Sequence, residues 1–173
     1  MIRSFAVIGH KGAGRSAVLL ALVAHLKSRG KRVGVVRRLQ RDDLEIDEPG
    51  KDTYAYRMQG AEKVVLSGRR RCATFENRER ELSTAEILEA FEGYDFVFFE
   101  GYLSAGIPAI EVHRRAAGEL IPETAHTRLA LCSEDVPPET LPGMPVFSFE
   151  QVGLLADFLE NLHAAKKAAA LCY

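Results

Sequence analysis

Short apolar runs and stretches of helical period alternate along the chain. Phe5-Ala6-Val7-Ile8, Lys31 to Val36, Phe96-Val97-Phe98-Phe99 and Leu129-Ala130-Leu131-Cys132 are runs of strand length. The run at 96–99 has no polar face, which predicts a central parallel strand buried on both sides. Between the first two runs, Val18, Leu19, Leu22, Val23 and Leu26 recur at helical spacing, with Gly30 as a stop. Strand, glycine-rich turn, helix and strand in that order predict a right-handed parallel crossover. Ser83-Thr84-Ala85-Glu86 opens a second helix through Ile87, Leu88 and Phe91, in the manner of a capping box. Leu154, Leu155, Phe158, Leu159 and Leu162 predict a closing helix from Glu150 to about His163.

The middle of the chain reads differently. Pro49-Gly50 marks a turn, after which Asp52 or Thr53 caps a short helix through Met58 that Gly60 ends. Glu62 to Ser67 and Cys72 to Glu76 read as strands, the second paired antiparallel. Short strands are also expected at 107–114 and 145–149. The whole pattern predicts an α/β fold with a mostly parallel central sheet flanked by helices.

Composition narrows the classes without naming one. The 173 residues are expected to form a single domain, 1–173, with 47% apolar and 27% charged residues as in an ordinary globular protein. A net charge of −1 argues against a general nucleic-acid or membrane-surface binder. No apolar run approaches the roughly 20 residues of a membrane span. The three cysteines, Cys72, Cys132 and Cys172, form neither a disulfide framework nor a zinc pattern, and Cys132 is expected to be a core thiol. The N-terminus enters a strand at once, so no export signal is expected and the compartment reads as cytoplasm.

Candidate chemistry gathers at the turn after the first strand. Gly9-His10-Lys11-Gly12-Ala13-Gly14-Arg15-Ser16 has the spacing of a P-loop (Walker A), G-x-x-x-x-G-K-[ST], with Arg15 in place of the lysine. The glycines permit a tight curl whose N–H groups point at a phosphate, and the following helix adds its positive end. Gly9, His10, Lys11, Gly12, Ala13, Gly14, Arg15, Ser16 and Ala17 are therefore the predicted nucleotide-binding set. Ser16 would offer its hydroxyl to Mg2+. Arg15 keeps the charge of the missing lysine but presents a planar fork of donors.

Other candidates lie at strand ends, where ligands collect in open α/β sheets. Glu100 ends the 96–99 run and is predicted to serve Mg2+ opposite Ser16, so that Arg15 and Glu100 form the catalytic pair. Asp135 is a candidate reader of guanine, since a carboxylate can accept both N1–H and the exocyclic amine, although Ser133-Glu134-Asp135 also reads as a turn. Arg37, Arg38 and Arg41 follow the second strand and can meet phosphate. Asp42, Asp43, Asp47 and Asp52 can reach a metal or its waters, while capping and turn chemistry also accounts for Asp52. His113 is either catalytic or a structural histidine.

Several stretches together resemble one family, the molybdopterin-guanine dinucleotide biosynthesis adapter proteins (MobB). The landmarks are the loop from Gly9 to Ser16, Asp47-Glu48-Pro49-Gly50-Lys51-Asp52-Thr53-Tyr54, Gly60-Ala61, Phe99-Glu100-Gly101-Tyr102 and Pro108-Ala109-Ile110-Glu111-Val112. The Asp-x-Pro-Gly-Lys-Asp stretch is much more specific than the loop alone. The resemblance implies a P-loop NTPase fold in three layers, a homodimer, GTP and Mg2+ as ligands, and weak GTPase activity. It also implies a partner, the molybdenum cofactor guanylyltransferase that attaches GMP to molybdopterin. The chain departs from the family at Arg15, at Leu103 and Ala109, where lysines are usual, and after the second strand, where Arg37-Arg38-Leu39-Gln40-Arg41 lacks the usual histidine. These changes alter basic positions expected near the phosphates and are expected to affect turnover more than binding. Two other readings fit the same residues. One is a binding-only adapter with a degenerate P-loop. The other is a small-molecule kinase, with Arg69-Arg70-Arg71, Arg78 and Arg80 as a phosphate-sensing lid.

Overall fold

The computed structural model describes residues 2–39, 47–103, 106–122, 127–136 and 141–170, with side chains described as far as 162. The chain divides into two compact units, Met1–Arg38 with Glu86–Tyr173, and Leu39–Ala85.

The larger unit is built on six parallel strands in the order β2-β5-β1-β6-β7-β8. These are β1 (Arg3–Ile8), β2 (Val33–Arg37), β5 (Phe96–Glu100), β6 (Ala109–His113), β7 (Arg128–Ser133) and β8 (Val146–Phe147). The continuous apolar runs explain the middle of that order. All five residues of β5 and of β6 are buried, which only a strand covered on both faces requires.

Alternation divides those strands cleanly. Phe5 and Val7, Phe96 and Phe98, Ile110 and Val112, and Ala130 and Cys132 form one cluster with Val18, Leu19, Leu22 and Leu26 of α1 (Arg15–Ser28) and Val152, Leu155, Ala156 and Leu159 of α4 (Val152–Ala170). Burying each large side chain of this kind contributes about 1.5–3 kcal/mol. Arg29, just past α1, ties the two helices together through Asp157 and Glu160, at 2.6 Å and 2.5 Å. On the opposite face, Phe91 lies beyond α3 (Thr84–Glu89) against Gly34 of β2, where any β-carbon would sit 2.4 Å from the ring.

The predicted elements are all present, with shifted ends. The closing helix begins as a 3-10 turn, Phe149–Gln151, capped by a reciprocal Ser148–Gln151 box, and the α-helix runs on to Ala170.

The smaller unit holds α2 (Asp52–Met58) and an antiparallel hairpin of β3 (Lys63–Ser67) and β4 (Cys72–Glu76). The expected cap by Asp52 or Thr53 is not what forms. The N-cap position is Lys51, without a side-chain bond, and Thr53 Oγ1 instead donates to Asp47 Oδ1 at 3.0 Å. Asp47 Oδ1 also accepts from the Glu48 amide, and Arg57 approaches its second oxygen at 3.7 Å. Asp47 therefore anchors the front of α2 through Oδ1, while its buried Oδ2 accepts no hydrogen bond among the described residues. Asp42, Asp43 and Arg41 lie outside the described residues.

Candidate functional site

The site begins where β1 leaves the sheet. Gly9 has φ 145°, and a β-carbon there would sit 2.2 Å from the Val112 carbonyl oxygen of neighbouring β6. Only glycine lets the chain turn so close to that strand. Gly12 and Gly14 also have positive φ, at 88° and 102°, and Gly14 is the N-cap of α1. Val18 N–H donates to Gly14 O, so the amides of Arg15, Ser16 and Ala17 precede the first helical hydrogen bond. They form the open positive end of a fourteen-residue helix.

Not every loop residue faces outward. Ala13 is buried in the core, and its N–H is spent on the His10 carbonyl. His10 Nε2 lies 2.9 Å from the Glu119 carbonyl oxygen, which ties the loop to the segment after β6. Lys11 is exposed.

Ser16 sits in the first turn of α1, and its hydroxyl donates to Glu100 Oε1 at 2.8 Å. The pairing follows from parity. Glu100 shares the face of Phe96 and Phe98, which is the face α1 covers. It stands level with Val7 of β1 and Arg37 of β2, at the carboxyl end of a central strand. Ser16 and Glu100 together offer hard oxygen ligands beside a helix N-terminus. That donor set suits Mg2+, which takes one or two protein ligands and completes its shell with phosphate and water.

Arg15 turns back over the start of the loop. Its Cγ lies 3.3 Å from the β-carbon position of Gly9. With Ile8, Gly9, His10, Gly101, Leu103, Ile121 and Pro122 it lines a cleft of about 320 Å³. One wall of that cleft is fixed by a buried ion pair. Arg128 Nε donates to Glu111 Oε2 at 2.7 Å, Ile121 N–H donates to Glu111 Oε1 at 2.8 Å, and Arg128 Nη2 donates to the Ile121 carbonyl at 2.7 Å. The carboxylate is 1% exposed and the guanidinium 6%.

Several sequence candidates fall elsewhere. His113 is buried on the opposite face of β6, with Nδ1 3.1 Å from Ser133 Oγ, and serves the packing. Asp135 Oδ2 accepts from the Arg115 amide at 2.6 Å, and its own N–H donates to Ser133 Oγ. It thus closes a turn between the ends of β6 and β7, and it does not line the cleft. Ala109 is fully buried at the start of β6, beside Ala6 in the middle of β1, so this position does not lie at the phosphate loop as expected. Leu103 does line the cleft. Arg38 carries its guanidinium over the Tyr102 ring, 5.9 Å from the centroid. Arg37 is exposed at the end of β2.

One basic residue at the loop was not singled out from sequence. Arg114 follows His113, so strand alternation turns it to the face that α1 covers. Its Nε and Nη2 lie 3.8 Å and 3.9 Å from the β-carbon position of Gly14. The guanidinium stacks on Phe149, 4.6 Å from the ring centroid. The signal that finds it is the alternation of β6, because Ile110 and Val112 face α1 and Arg114 continues that series.

A parallel sheet with a glycine turn between β1 and α1, and a carboxylate from the adjacent strand against the helix's first serine, defines an α/β protein of the P-loop class. Residues 4–134 match the family model for molybdopterin guanine dinucleotide synthesis protein B, MobB. The chain belongs to this family. It is 26% identical over 157 residues to a molybdopterin-guanine dinucleotide biosynthesis adapter protein of Haemophilus influenzae, covering 90% of this chain and 86% of that one. A protein of the same name from Escherichia coli is 27% identical over 164 residues, covering 92% of each. Among solved structures, MobB of Bacillus subtilis superposes with a TM-score of 0.69 at 17% identity, covering 92% of this chain and 96% of that one. A MobB homologue of Bacillus stearothermophilus gives 0.63 at 21%, covering 91% and 95%. The three-layer α/β fold expected from sequence is the fold these proteins share.

Proposed function

We propose that the protein is a GTP-binding adapter in the formation of molybdopterin guanine dinucleotide, with weak GTPase activity at most. The observation that carries the reading is the hydrogen bond from Ser16 to Glu100 beneath an open helix N-terminus and a glycine turn. Its relatives bear the name of adapters in that biosynthesis, and this supports the pathway assignment. In this reading the amides of Gly14 to Ala17 and the Arg15 guanidinium hold the phosphates. Ser16 and Glu100 hold Mg2+, which when bound neutralises phosphate charge. Asp135 reaches guanine only if its bond to the Arg115 amide opens. The acceptor of this assistance is the guanylyl-transferring enzyme of the pathway, and the protein acts as a homodimer in the cytoplasm. Among the described residues, no helix is long and apolar enough to cross a membrane.

The test is calorimetric titration with GTP and ATP, each with and without Mg2+. Magnesium-dependent binding with GTP preferred is expected. Absence of GTP binding at millimolar nucleotide overturns the reading.

A further inference from the structure

Arg114 poses an electrostatic question. Its guanidinium sits beside Gly14, at the positive end of α1. Among the described residues no carboxylate lies within ion-pair distance of it. Arg114 is exposed, so water screens part of the repulsion between the two positive groups, and an anion lying between them would relieve the rest. The guanidinium is nevertheless held there. Phe149 supplies a flat face beneath it. Phe149 is fixed in turn, since its N–H donates to Glu134 Oε1 at 2.6 Å. The turn carrying Arg114 is fixed too, because the next amide, Arg115 N–H, donates to Asp135 Oδ2. The two carboxylates after β7 thus clamp the backbone on both sides of the Arg114–Phe149 stack and, among the described residues, leave the guanidinium without a partner of opposite charge.

We infer that Arg114 is a second phosphate-binding cation of the loop, acting at its Gly14 end while Arg15 acts at its Gly9 end. The inference rests on the nucleotide reading above and names the ligand class more closely: a nucleotide with at least two phosphates, long enough to meet both guanidinium groups. An arginine fork suits phosphate oxygens in a way a point charge does not. Arg114 adds a second guanidinium to the one that Arg15 already supplies, from the end of a strand that the P-loop motif does not include. It is a binding residue, and no proton or bond change is assigned to it.

The experiment is calorimetric titration of the full chain with Mg-GTP at several salt concentrations. It compares the unsubstituted protein with R114Q, R114K, F149L and R15Q. R114Q is expected to bind roughly 10- to 100-fold more weakly, since a hydrogen bond to a charged group is lost. R114K should fall in between, and F149L should weaken binding by less than R114Q. The dissociation constant of R114Q should also climb less steeply with salt, because one screened attraction is gone. A packing role would move neither the salt dependence nor the order of the two Arg114 variants. If R15Q weakens binding while R114Q matches the unsubstituted protein in affinity and salt dependence, the role of Arg114 is overturned and the loop reading stands. If the unsubstituted protein does not bind GTP, both fall together.

Discussion

The hydroxyl of Ser16 and the carboxylate of Glu100 meet at 2.8 Å across 84 residues of sequence. One comes from the first turn of α1 and the other from the last position of β5. Each is placed by the element that carries it, and the contact is set by the packing of α1 on that face of the sheet.

Replacing Ser16 with alanine leaves Glu100 Oε1 without this donor. Replacing Glu100 with glutamine removes the charge that would favour a cation. Each is expected to lower affinity for Mg-GTP by about tenfold or more, with a smaller effect on GTP without metal. Because the two groups touch, the double variant should cost less than the sum of the single ones. Titrations with and without Mg2+ measure this, and equal losses under both conditions would refute a metal-side role for the pair.

Arg15→Lys tests the departure from the P-loop pattern. The Arg15 side chain turns back beside Gly9 at its Cγ, and Arg15 lines the cleft. A compact ammonium can follow phosphoryl oxygens as their charge develops, which acts on rate more than on ground-state binding. Hydrolysis is expected to rise more than affinity does. Phosphate release and GTP titration on the same preparations compare the two.

The Glu111–Arg128 pair should be costly to break. Arg128→Met leaves a carboxylate at 1% exposure with one of its donors gone. Removing one partner of a buried pair costs about 3–5 kcal/mol. The expected result is a lower urea midpoint at unchanged slope. Glu111→Gln with Arg128→Met should recover part of the loss, because no buried charge remains. Ile121 is held by both side chains, so the cleft wall should loosen together with the stability.

Cys132 makes a pH prediction. Burial, helped by the charge of Glu134, pushes its thiol from 9.0 up to about 12. In the unfolded chain the thiol ionises near its ordinary value, while the folded chain keeps the proton. This contribution to stability is complete below about pH 9. It is lost as pH rises toward 12, at up to about 1.4 kcal/mol per pH unit. At pH 8, alkylation mapped by peptide mass should label exposed Cys72 and spare Cys132 until the protein unfolds.

The sheet was legible because burial on both faces leaves continuous apolar runs such as Phe96–Phe99, and few other arrangements tolerate them. The loop was legible because its glycines are needed by backbone geometry, as at Gly9 against Val112. Asp47 was harder to read. A carboxylate in a turn can cap, bind metal or pair, and its choice depends on Thr53 and Arg57 arriving beside it. The same applies to Asp135, which the Arg115 amide occupies, and to Ala109, whose height on β6 follows from its register with β1.

The sequence by itself determined the parallel α/β class, the phosphate-loop turn, the strand that delivers Glu100 and the family. These depend on local spacing and on apolar runs, and both are written along the chain. Only the tertiary structure decided which charges stand together. Ser16 was already placed opposite Glu100 by the loop and the end of the 96–99 run, whereas Glu111 with Arg128 and Arg114 with the start of α1 are pairings between separate elements that spacing did not indicate. Their distances follow from strand order, register and face, which local pattern does not encode.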